Sequence, residues 1–198
     1  MKVDILKYNG GNIQSVIFAL NRLGIEPILT DDEEEIRNSD KVIFPGVGEA
    51  SSCMNSFKAS GLDKILPTLK QPVLGICVGL QLMCNYSEEG NTKGLGIFDV
   101  NVKKFQSSSS ENLKVPQMGW NTLFDLQSPL FEGISEQSYM YYVHSYFAEL
   151  GKETIAKTDY TLPYSAALRK ANFYAVQFHT EKSSKLGSQI LENFLNVC

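Results

Sequence analysis

The sequence has little of what marks several large classes of protein. Its 198 residues include only three arginines, and the net charge of −4 comes with no basic stripe, so a nucleic-acid-binding surface is not indicated. No apolar run is long enough to span a bilayer, and the opening residues MKVDILKYNG carry charge too early for a signal peptide. We therefore expect a cytoplasmic protein with one domain over residues 1–198.

Cysteine is also scarce, and its spacing excludes two kinds of site. The four cysteines show no C-x-x-C pattern, so neither a zinc site nor a disulfide framework is indicated: Cys53, Cys77, Cys84 and Cys198. No Gly-x-Gly-x-x-Gly follows the first predicted strand, which argues against a flavin or nucleotide site. We expect reduced thiols and no metal or organic cofactor.

The two halves of the chain differ in hydrophobic pattern. In the first half, apolar runs at 3–6, 27–30, 41–44 and 72–77 alternate with helical spacings, which predicts a parallel sheet covered by helices. The second half predicts closely spaced strands at 96–105, 139–146, 154–157, 164–169 and 173–178, suited to antiparallel or mixed pairing. A polar loop at Ser107–Ser110 and a C-terminal amphipathic helix over Ser184–Val197 complete the pattern. We expect an α/β fold.

Cys77 stands where a buried strand becomes a helix, between Gly75 and Gly79. This is the thiol form of a nucleophile elbow, in which a strained turn exposes the reactive atom and only glycine leaves room for neighbouring backbone. A helix N-terminus favours the thiolate, and the N–H of Val78 would point to a developing oxyanion. Pro45-Gly46-Val47-Gly48 also follows a strand, at the same edge of a parallel sheet, where ligands bind.

The chain has two histidines, so the search for a base beside Cys77 is short: His144 and His179. His179 ends an apolar run, and Glu181 follows two residues later. Residues two apart near a strand end can point to one side, so the carboxylate can bond one ring nitrogen and leave the other for the thiol. We predict a Cys77–His179–Glu181 triad.

Two stretches, 75–81 and 177–182, resemble the two signatures of class I, triad-type glutamine amidotransferases. Other stretches resemble one branch of that family, the glutaminase subunits of imidazole glycerol phosphate synthase: Gly11-Asn12-Ile13, Pro45-Gly46-Val47-Gly48, Pro116-Gln117-Met118-Gly119-Trp120-Asn121 and Tyr142-Val143-His144-Ser145-Tyr146. The resemblance covers nearly the whole chain. It implies a flavodoxin-like sheet and glutamine hydrolysis by the triad.

The resemblance also implies roles for further residues. The oxyanion hole would be formed by Val78 with Val47 or Gly48. Glutamine would be bound by residues from four segments: Gly46, Gln81, Glu89, His144, Ser145 and Tyr146. The family's partner is a (β/α)8-barrel cyclase subunit, which receives ammonia and makes imidazole glycerol phosphate in histidine biosynthesis. Its interface would include Asn12, Met118, Trp120 and Lys182, although core burial is an equal alternative for Met118 and Trp120.

Three positions depart from the usual family pattern. Thr180 stands where the family has proline, Gln117 where it often has histidine, and the turn before Gly11-Asn12 also differs. None belongs to the triad, but they leave a different acceptor of ammonia open, such as that of a sugar amidotransferase. Two further readings of the same residues stay open. One is a stand-alone cysteine hydrolase, of the γ-glutamyl hydrolase or DJ-1-like kind, and the second is a non-catalytic flavodoxin-like module.

Overall fold

The computed structural model describes residues 1–10, 13–106 and 114–196, so Asn12, the loop at Ser107–Ser110 and Cys198 lie outside the described residues. The first half alternates strands and helices along the chain. Its elements are β1 (Val3–Leu6), α1 (Ile13–Arg22), β2 (Ile28–Thr30), α2 (Glu33–Arg37), β3 (Lys41–Gly46), α3 (Ala50–Ala59), α4 (Leu62–Ile65), β4 (Val73–Cys77) and α5 (Val78–Met83).

The second half is mostly strand. Its elements are β5 (Tyr86–Ser87), β6 (Thr92–Lys93), β7 (Asn101–Lys104), β8 (Gln117–Thr122), β9 (Tyr139–His144), β10 (Tyr146–Ala148), β11 (Thr154–Asp159), β12 (Pro163–Lys170), β13 (Phe173–Val176) and α6 (Ser184–Asn196). Short 3₁₀ turns lie at Leu66–Thr68, Glu89–Asn91, Pro129–Phe131 and Thr180–Lys182.

One large mixed sheet forms the centre of the molecule. Its order is β2-β1-β3-β4-β13-β12-β10-β7-β5-β6, with β11 added against β12. The first five strands in this order are parallel, in the flavodoxin-like arrangement, and β13 then pairs antiparallel with β12. The predicted α/β fold, with its parallel part and its antiparallel second half, is confirmed. Strands β8 and β9 form a separate antiparallel pair.

The sequence pattern explains why these elements form. Strands β1, β3, β4 and β13 are buried along their whole length, which is why they read as continuous rather than alternating apolar runs. Helices α1 and α6 each bury one apolar stripe on the core: Val16, Ala19 and Leu20 in the first, and Ile190, Leu191, Phe194 and Leu195 in the second.

The pairing of β13 with β4 matters most for the site. Val176 lies opposite Ile76 in parallel register, so the carboxyl ends of the two strands reach the same edge of the sheet. Residues directly after β4 and directly after β13 therefore become neighbours. The turns after β1 and β3 end at that edge too, because those strands run parallel to β4.

Two predicted strands are wrong in extent. Of the run 96–105, only Asn101–Lys104 is strand, because the N–H groups of Gly96, Ile97 and Phe98 bond instead to carbonyls at the end of α5, on Met83 and Cys84. The run 139–146 is broken at Ser145 into β9 and β10, which belong to different sheets.

Candidate active site

The elbow at Cys77 has the geometry that its glycines predict. Cys77 lies between β4 and α5 with φ 54° and ψ −107°, a strained conformation for a residue with a side chain. A Cβ on Gly79 would run into the carbonyl oxygen of Phe44, and one on Gly75 would lie 2.7 Å from the sulfur of Met83. The turn therefore requires glycine at position 79, where the neighbour is backbone, whereas a Cβ at position 75 would require the Met83 side chain to move.

His179 and Glu181 meet beside this elbow, as predicted. His179 follows β13, and its backbone N–H donates to the carbonyl of Tyr141 at 2.9 Å. The Nδ1 atom lies 2.8 Å from Oε1 of Glu181, which leaves Nε2 for the Cys77 thiol. Both side chains are almost fully buried, 1% and 3% exposed. Thr180 lies between them, buried in the 3₁₀ turn, so the missing proline leaves the pair intact.

The electrostatics of the site favour a protonated His179. Burial opposes a charged imidazole, but the neighbouring Cys77 sulfur and the Glu181 carboxylate outweigh it and raise the pKa of His179. A raised histidine pKa keeps a proton on the imidazole, so the ring can carry a positive charge beside the sulfur of Cys77.

A cavity of about 190 Å³ opens over the sulfur. It is smaller than the pockets that hold drug-sized ligands and suits a small metabolite. Its lining comes from the ends of several strands: Val47, Gly48, Cys77, Val78, Gln81, Glu89, Val143, His144, Ser145, Tyr146 and His179. All of the predicted glutamine-binding residues except Gly46 are among them. Val143 was missed, because nothing in the sequence distinguishes it from an ordinary strand residue.

The polar groups in this cavity are held by their own contacts. Gln81 donates from Nε2 to the carbonyl of Tyr146 at 2.9 Å. Glu89 is half-buried and accepts from the N–H of Ala50 at 2.8 Å, and burial raises the pKa of its carboxyl group. A carboxylate and a fixed amide in the lining of one cavity match the charged groups of an amino acid.

Gly46 does not line the cavity, so its predicted contact with glutamine is not supported. It pairs with Cys77 at the end of β3. A Cβ there would lie 2.8 Å from both the Tyr8 hydroxyl and the Val78 side chain. The glycine is needed for close packing beneath the elbow.

Both ring nitrogens of His144 lie close to other groups of the protein. Its Nδ1 is 2.7 Å from the carbonyl of Tyr146, and its Nε2 is 3.3 Å from the hydroxyl of Tyr164. Burial lowers the pKa of His144 to about 4, so the ring is neutral at pH 7. The side chain is structural, and only the adjoining backbone is placed to contact a ligand.

The model of the family described as "Glutamine amidotransferase class-I" matches residues 5–198. The chain belongs to this family. It is therefore an enzyme with glutaminase activity. The match extends over almost the whole amidotransferase, from β1 through α6.

Relatives with high identity carry a more specific name. The amidotransferase is 55% identical over 197 residues to "Imidazole glycerol phosphate synthase subunit HisH" of Bacteroides thetaiotaomicron, with both chains fully covered. It is 44% identical to the protein of the same name from Colwellia psychrerythraea, covering 94% of this chain and 88% of the relative.

Solved structures support the fold. A structure described as a glutamine amidotransferase superposes with a TM-score of 0.73 at 19% identity, covering 98% of this chain and 97% of its own. The PurLQS structure from Thermotoga maritima gives a TM-score of 0.69 at 14% identity, with the same coverage. At these identities the likeness shows the fold alone.

The segment after β3 holds an amide that sequence reasoning assigned to the oxyanion hole. In this structure the N–H of Val47 instead donates to the carbonyl of Gly10 at 2.7 Å. Gly48 follows with φ +120°, a conformation open mainly to glycine. The predicted donor from Val47 is thus turned away from the sulfur in this conformation of the amidotransferase. Gly10 was missed as its partner, because the contact joins two turns far apart in sequence.

The residues predicted for a partner interface are exposed where they are described. Met118 and Trp120 lie on β8 with 66% and 52% of their surfaces exposed, and Lys182 is exposed in the turn after the triad histidine. The alternative of core burial is therefore wrong for both β8 residues. The Trp120 ring packs edge-on against Tyr141 at 5.9 Å. Asn12 lies outside the described residues.

Two kinds of feature are absent from the described ranges. Among residues 1–10, 13–106 and 114–196, no helix is both long enough and apolar enough to cross a membrane. Within the same part of the chain, no cluster of three or more histidine, cysteine, aspartate or glutamate side chains is arranged to hold a metal ion. Cys53, Cys77 and Cys84 are free thiols.

Proposed function

We propose that this chain is the glutaminase subunit of an imidazole glycerol phosphate synthase, with Cys77, His179 and Glu181 as its catalytic residues. The observation that carries the proposal is the 2.8 Å bond from His179 to Glu181 beside the strained Cys77. The 55% identity to HisH over the full chain supports the choice of synthase. The sugar amidotransferase alternative is not favoured by these relatives.

The chemistry follows from the charges. The Cys77 thiolate attacks the side-chain amide carbon of glutamine, and the carbonyl oxygen becomes an oxyanion, which the N–H of Val78 would stabilise. His179 gives its proton to the departing nitrogen, so ammonia leaves and a thioester remains. The imidazole, now neutral, takes a proton from water, which attacks the thioester and releases glutamate. Glu181 holds the ring in the correct tautomer throughout.

Glutamine would bind in the cavity with its charged end toward Glu89 and Gln81. The carboxylate of Glu89 would attract the α-ammonium group, and the backbone of residues 144–146, beside Gln81, would line the same cavity. This orientation directs the side-chain amide to the sulfur.

The partner of the proposal is a (β/α)8-barrel cyclase subunit that receives the ammonia. Ammonia released into water would be protonated and diluted, so a glutaminase without a second active site needs a receiver. The exposed side chains Met118, Trp120 and Lys182 would contact it, with Asn12 as a further candidate. Large aromatic side chains are enriched at such interfaces.

We further propose that the resting enzyme is weakly active by itself. The bond from Val47 N–H to the Gly10 carbonyl keeps one oxyanion donor occupied, and binding of the partner would release it. This arrangement argues against a stand-alone hydrolase, which needs its oxyanion hole complete at all times. A single domain over 1–198 and a cytoplasmic location, consistent with the free thiols, complete the proposal.

The test uses the complex with the synthase partner of the same organism. We expect glutamine to support product formation by the complex, and Cys77→Ala to abolish it while added ammonium salts still support the partner's reaction. Trp120→Ala should weaken association, whereas the exposed Leu150→Ala should not. Glutamine-dependent product formation by the Cys77→Ala complex would overturn the catalytic assignment.

A further inference from the structure

Gln177 is a buried amide that the triad chemistry does not use. It follows β13 directly, two residues before His179, and its backbone N–H donates to the carbonyl of Ala166 at 2.8 Å. None of its surface is exposed. A buried amide needs partners for both ends, because an unpaired polar group costs free energy. Its two partners are the nucleophile and a residue of the glutamine cavity.

The amide of Gln177 bridges Cys77 and Gln81. Its Nε2 lies 3.7 Å from the sulfur of Cys77, and its Oε1 accepts from Nε2 of Gln81 at 3.2 Å.

The orientation of the bridge is set by Gln81. The amide nitrogen of Gln81 also donates to the carbonyl of Tyr146, so its two hydrogens are both used. The atom of Gln177 that faces Gln81 must then be its oxygen, which leaves its nitrogen for the sulfur. The donor therefore cannot turn away from Cys77 without breaking the bond to Gln81.

This contact favours the charged form of the sulfur. The Cys77 side chain is nearly buried, with 3% of the residue exposed, so few water molecules can solvate a thiolate there. An amide N–H donates at every pH, and a thiolate accepts a hydrogen bond more strongly than a thiol does. His179 gives the sulfur a partner that changes charge during the reaction, whereas Gln177 gives it one that does not.

We propose that Gln177 is a positioning residue, which holds the Cys77 sulfur as thiolate and fixes its place relative to Gln81. Its kinetic consequences rest on the proposed function, since Gln81 is proposed to bind glutamine. The effect on the sulfur itself does not depend on glutamine hydrolysis, so it can be measured separately.

The first experiment measures alkylation of Cys77 by iodoacetamide as a function of pH, in the full chain, by mass spectrometry of the peptide that contains it. Gln177→Met keeps the length of the side chain and removes the donor. We expect the midpoint of alkylation to rise by about one pH unit, with the plateau rate at high pH unchanged within about twofold, since hydrogen bonds to the charged form shift titrations by this order.

A matched control removes a different amide donor. Gln71 donates from Nε2 to the carbonyl of Ile36 at 2.7 Å, away from the cavity, so Gln71→Met should leave the midpoint unchanged. Gln177→Asn is a second variant, which keeps the amide but shortens the side chain by one methylene, and it should shift the midpoint in the same direction. Unshifted midpoints in both folded Gln177 variants would overturn the proposal.

A second experiment measures glutamine hydrolysis by the complex with the synthase partner. For Gln177→Met we expect kcat to fall about tenfold, the effect of one hydrogen bond to a charged group. KM for glutamine should rise by a smaller factor, through the loosened Gln81. If the unsubstituted complex hydrolyses no glutamine, the proposed function fails, while the alkylation result still decides the role of Gln177.

Discussion

The parallel and antiparallel parts of the sheet contribute to the site in different ways. In the parallel part, a short local sequence fixes each contribution: the strand β4, the turn at Cys77 and the helix α5 are continuous in the chain. His179 comes from the boundary between the two parts, because β13 pairs antiparallel with β12 on one side and parallel with β4 on the other, and only the pairing with β4 brings His179 to the site. The proposed nucleophile is thus positioned by residues adjacent in sequence, whereas its proposed base arrives through a long-range contact.

The difference continues away from the sheet. The strands β8 and β9 make no pairing with the main sheet and present Met118 and Trp120 to solvent. The parallel strands near the site are buried on both faces and leave no such surface. The proposed triad is therefore concentrated where the parallel strands end, whereas the exposed Met118 and Trp120 lie on the separate antiparallel pair.

The largest effect should come from removing the sulfur of Cys77, which the local sequence positions. Cys77→Ala removes the nucleophile, and we expect glutaminase activity of the complex to fall by at least about 10³-fold. Activity is measured as glutamate formed, and the melting temperature serves as the check on folding. Residual activity within tenfold of the parent would contradict the assignment.

Activity should also fall sharply when the contact between Glu181 and His179 is altered by a small substitution. Glu181→Gln keeps the shape of the side chain but replaces the carboxylate that stabilises a charged His179 with a neutral amide. We therefore expect kcat to fall by roughly 10²–10⁴-fold. Steady-state kinetics of the complex measure it. Glu136→Gln, at an exposed carboxylate that accepts from the N–H groups of Asp125 and Leu126, is the control and should retain activity.

Packing in the parallel part should be less tolerant than in the second half. Gly79→Ala places a methyl group against the carbonyl oxygen of Phe44, and we expect a loss of about 2 kcal/mol or more in the free energy of unfolding. Gly133 has φ +74° and open space around it, so Gly133→Ala should lower the free energy of unfolding by only about 1 kcal/mol. Urea unfolding followed by circular dichroism compares them, and equal losses would contradict the steric argument.

The buried His144 of the second half should make stability sensitive to acid. The unfolded chain takes up a proton on this residue below pH 6.5, but the folded chain does so only near pH 4, because burial lowers the pKa of His144 to about 4. The contribution of the neutral, buried His144 to the free energy of unfolding is therefore complete above pH 6.5. It is lost as the pH falls toward 4, by up to about 3 kcal/mol.

The measurement compares the parent with His144→Gln, by the free energy of unfolding at several pH values. As the pH falls from 6.5 to 4, the free energy of unfolding of the parent should decrease more than that of the variant. Carboxylates titrate in both proteins, so their effect cancels in the difference. A difference that does not vary with pH would show that His144 is not buried in the neutral form.

The smallest effect should come from the turn that joins β1 to the Val47 segment. The Tyr8 hydroxyl donates to the carbonyl of Pro45 at 2.6 Å, and its ring fills the space above Gly10. Tyr8→Phe loosens this segment, so we expect the isolated subunit to hydrolyse glutamine roughly two- to tenfold faster. Tyr160→Phe, which removes a hydroxyl bonded to the carbonyl of Lys114, is the control and should not change the rate.

Much of this could be predicted, because part of the site depends on neighbours in sequence. The glycines around Cys77 and the spacing of His179 and Glu181 are local patterns, and the structure joins them as predicted. The extent of the predicted strand 96–105 could not be predicted correctly. Its first residues bond to the end of α5 instead, and only β7 remains as strand.

The orientation of β8 shows a second limit. Met118 and Trp120 alternate with polar residues, so pattern alone indicates that the apolar face is buried. In the structure Gln117 faces inward, where its Oε1 accepts from the Tyr164 hydroxyl at 2.9 Å, and the two large apolar side chains face solvent. The bond from Val47 to Gly10 and the bridge at Gln177 are equally invisible in the sequence, because each joins segments that only the fold brings together.

The position of β13 has a consequence for how the protein is made. This strand leaves the ribosome long after β4, yet it becomes an interior strand, flanked by β4 on one side and β12 on the other. Until it arrives, β4 is an open edge and the sulfur has no imidazole beside it. A nascent chain therefore cannot release ammonia prematurely, since the reaction centre is completed only when the second half of the polypeptide has followed the first.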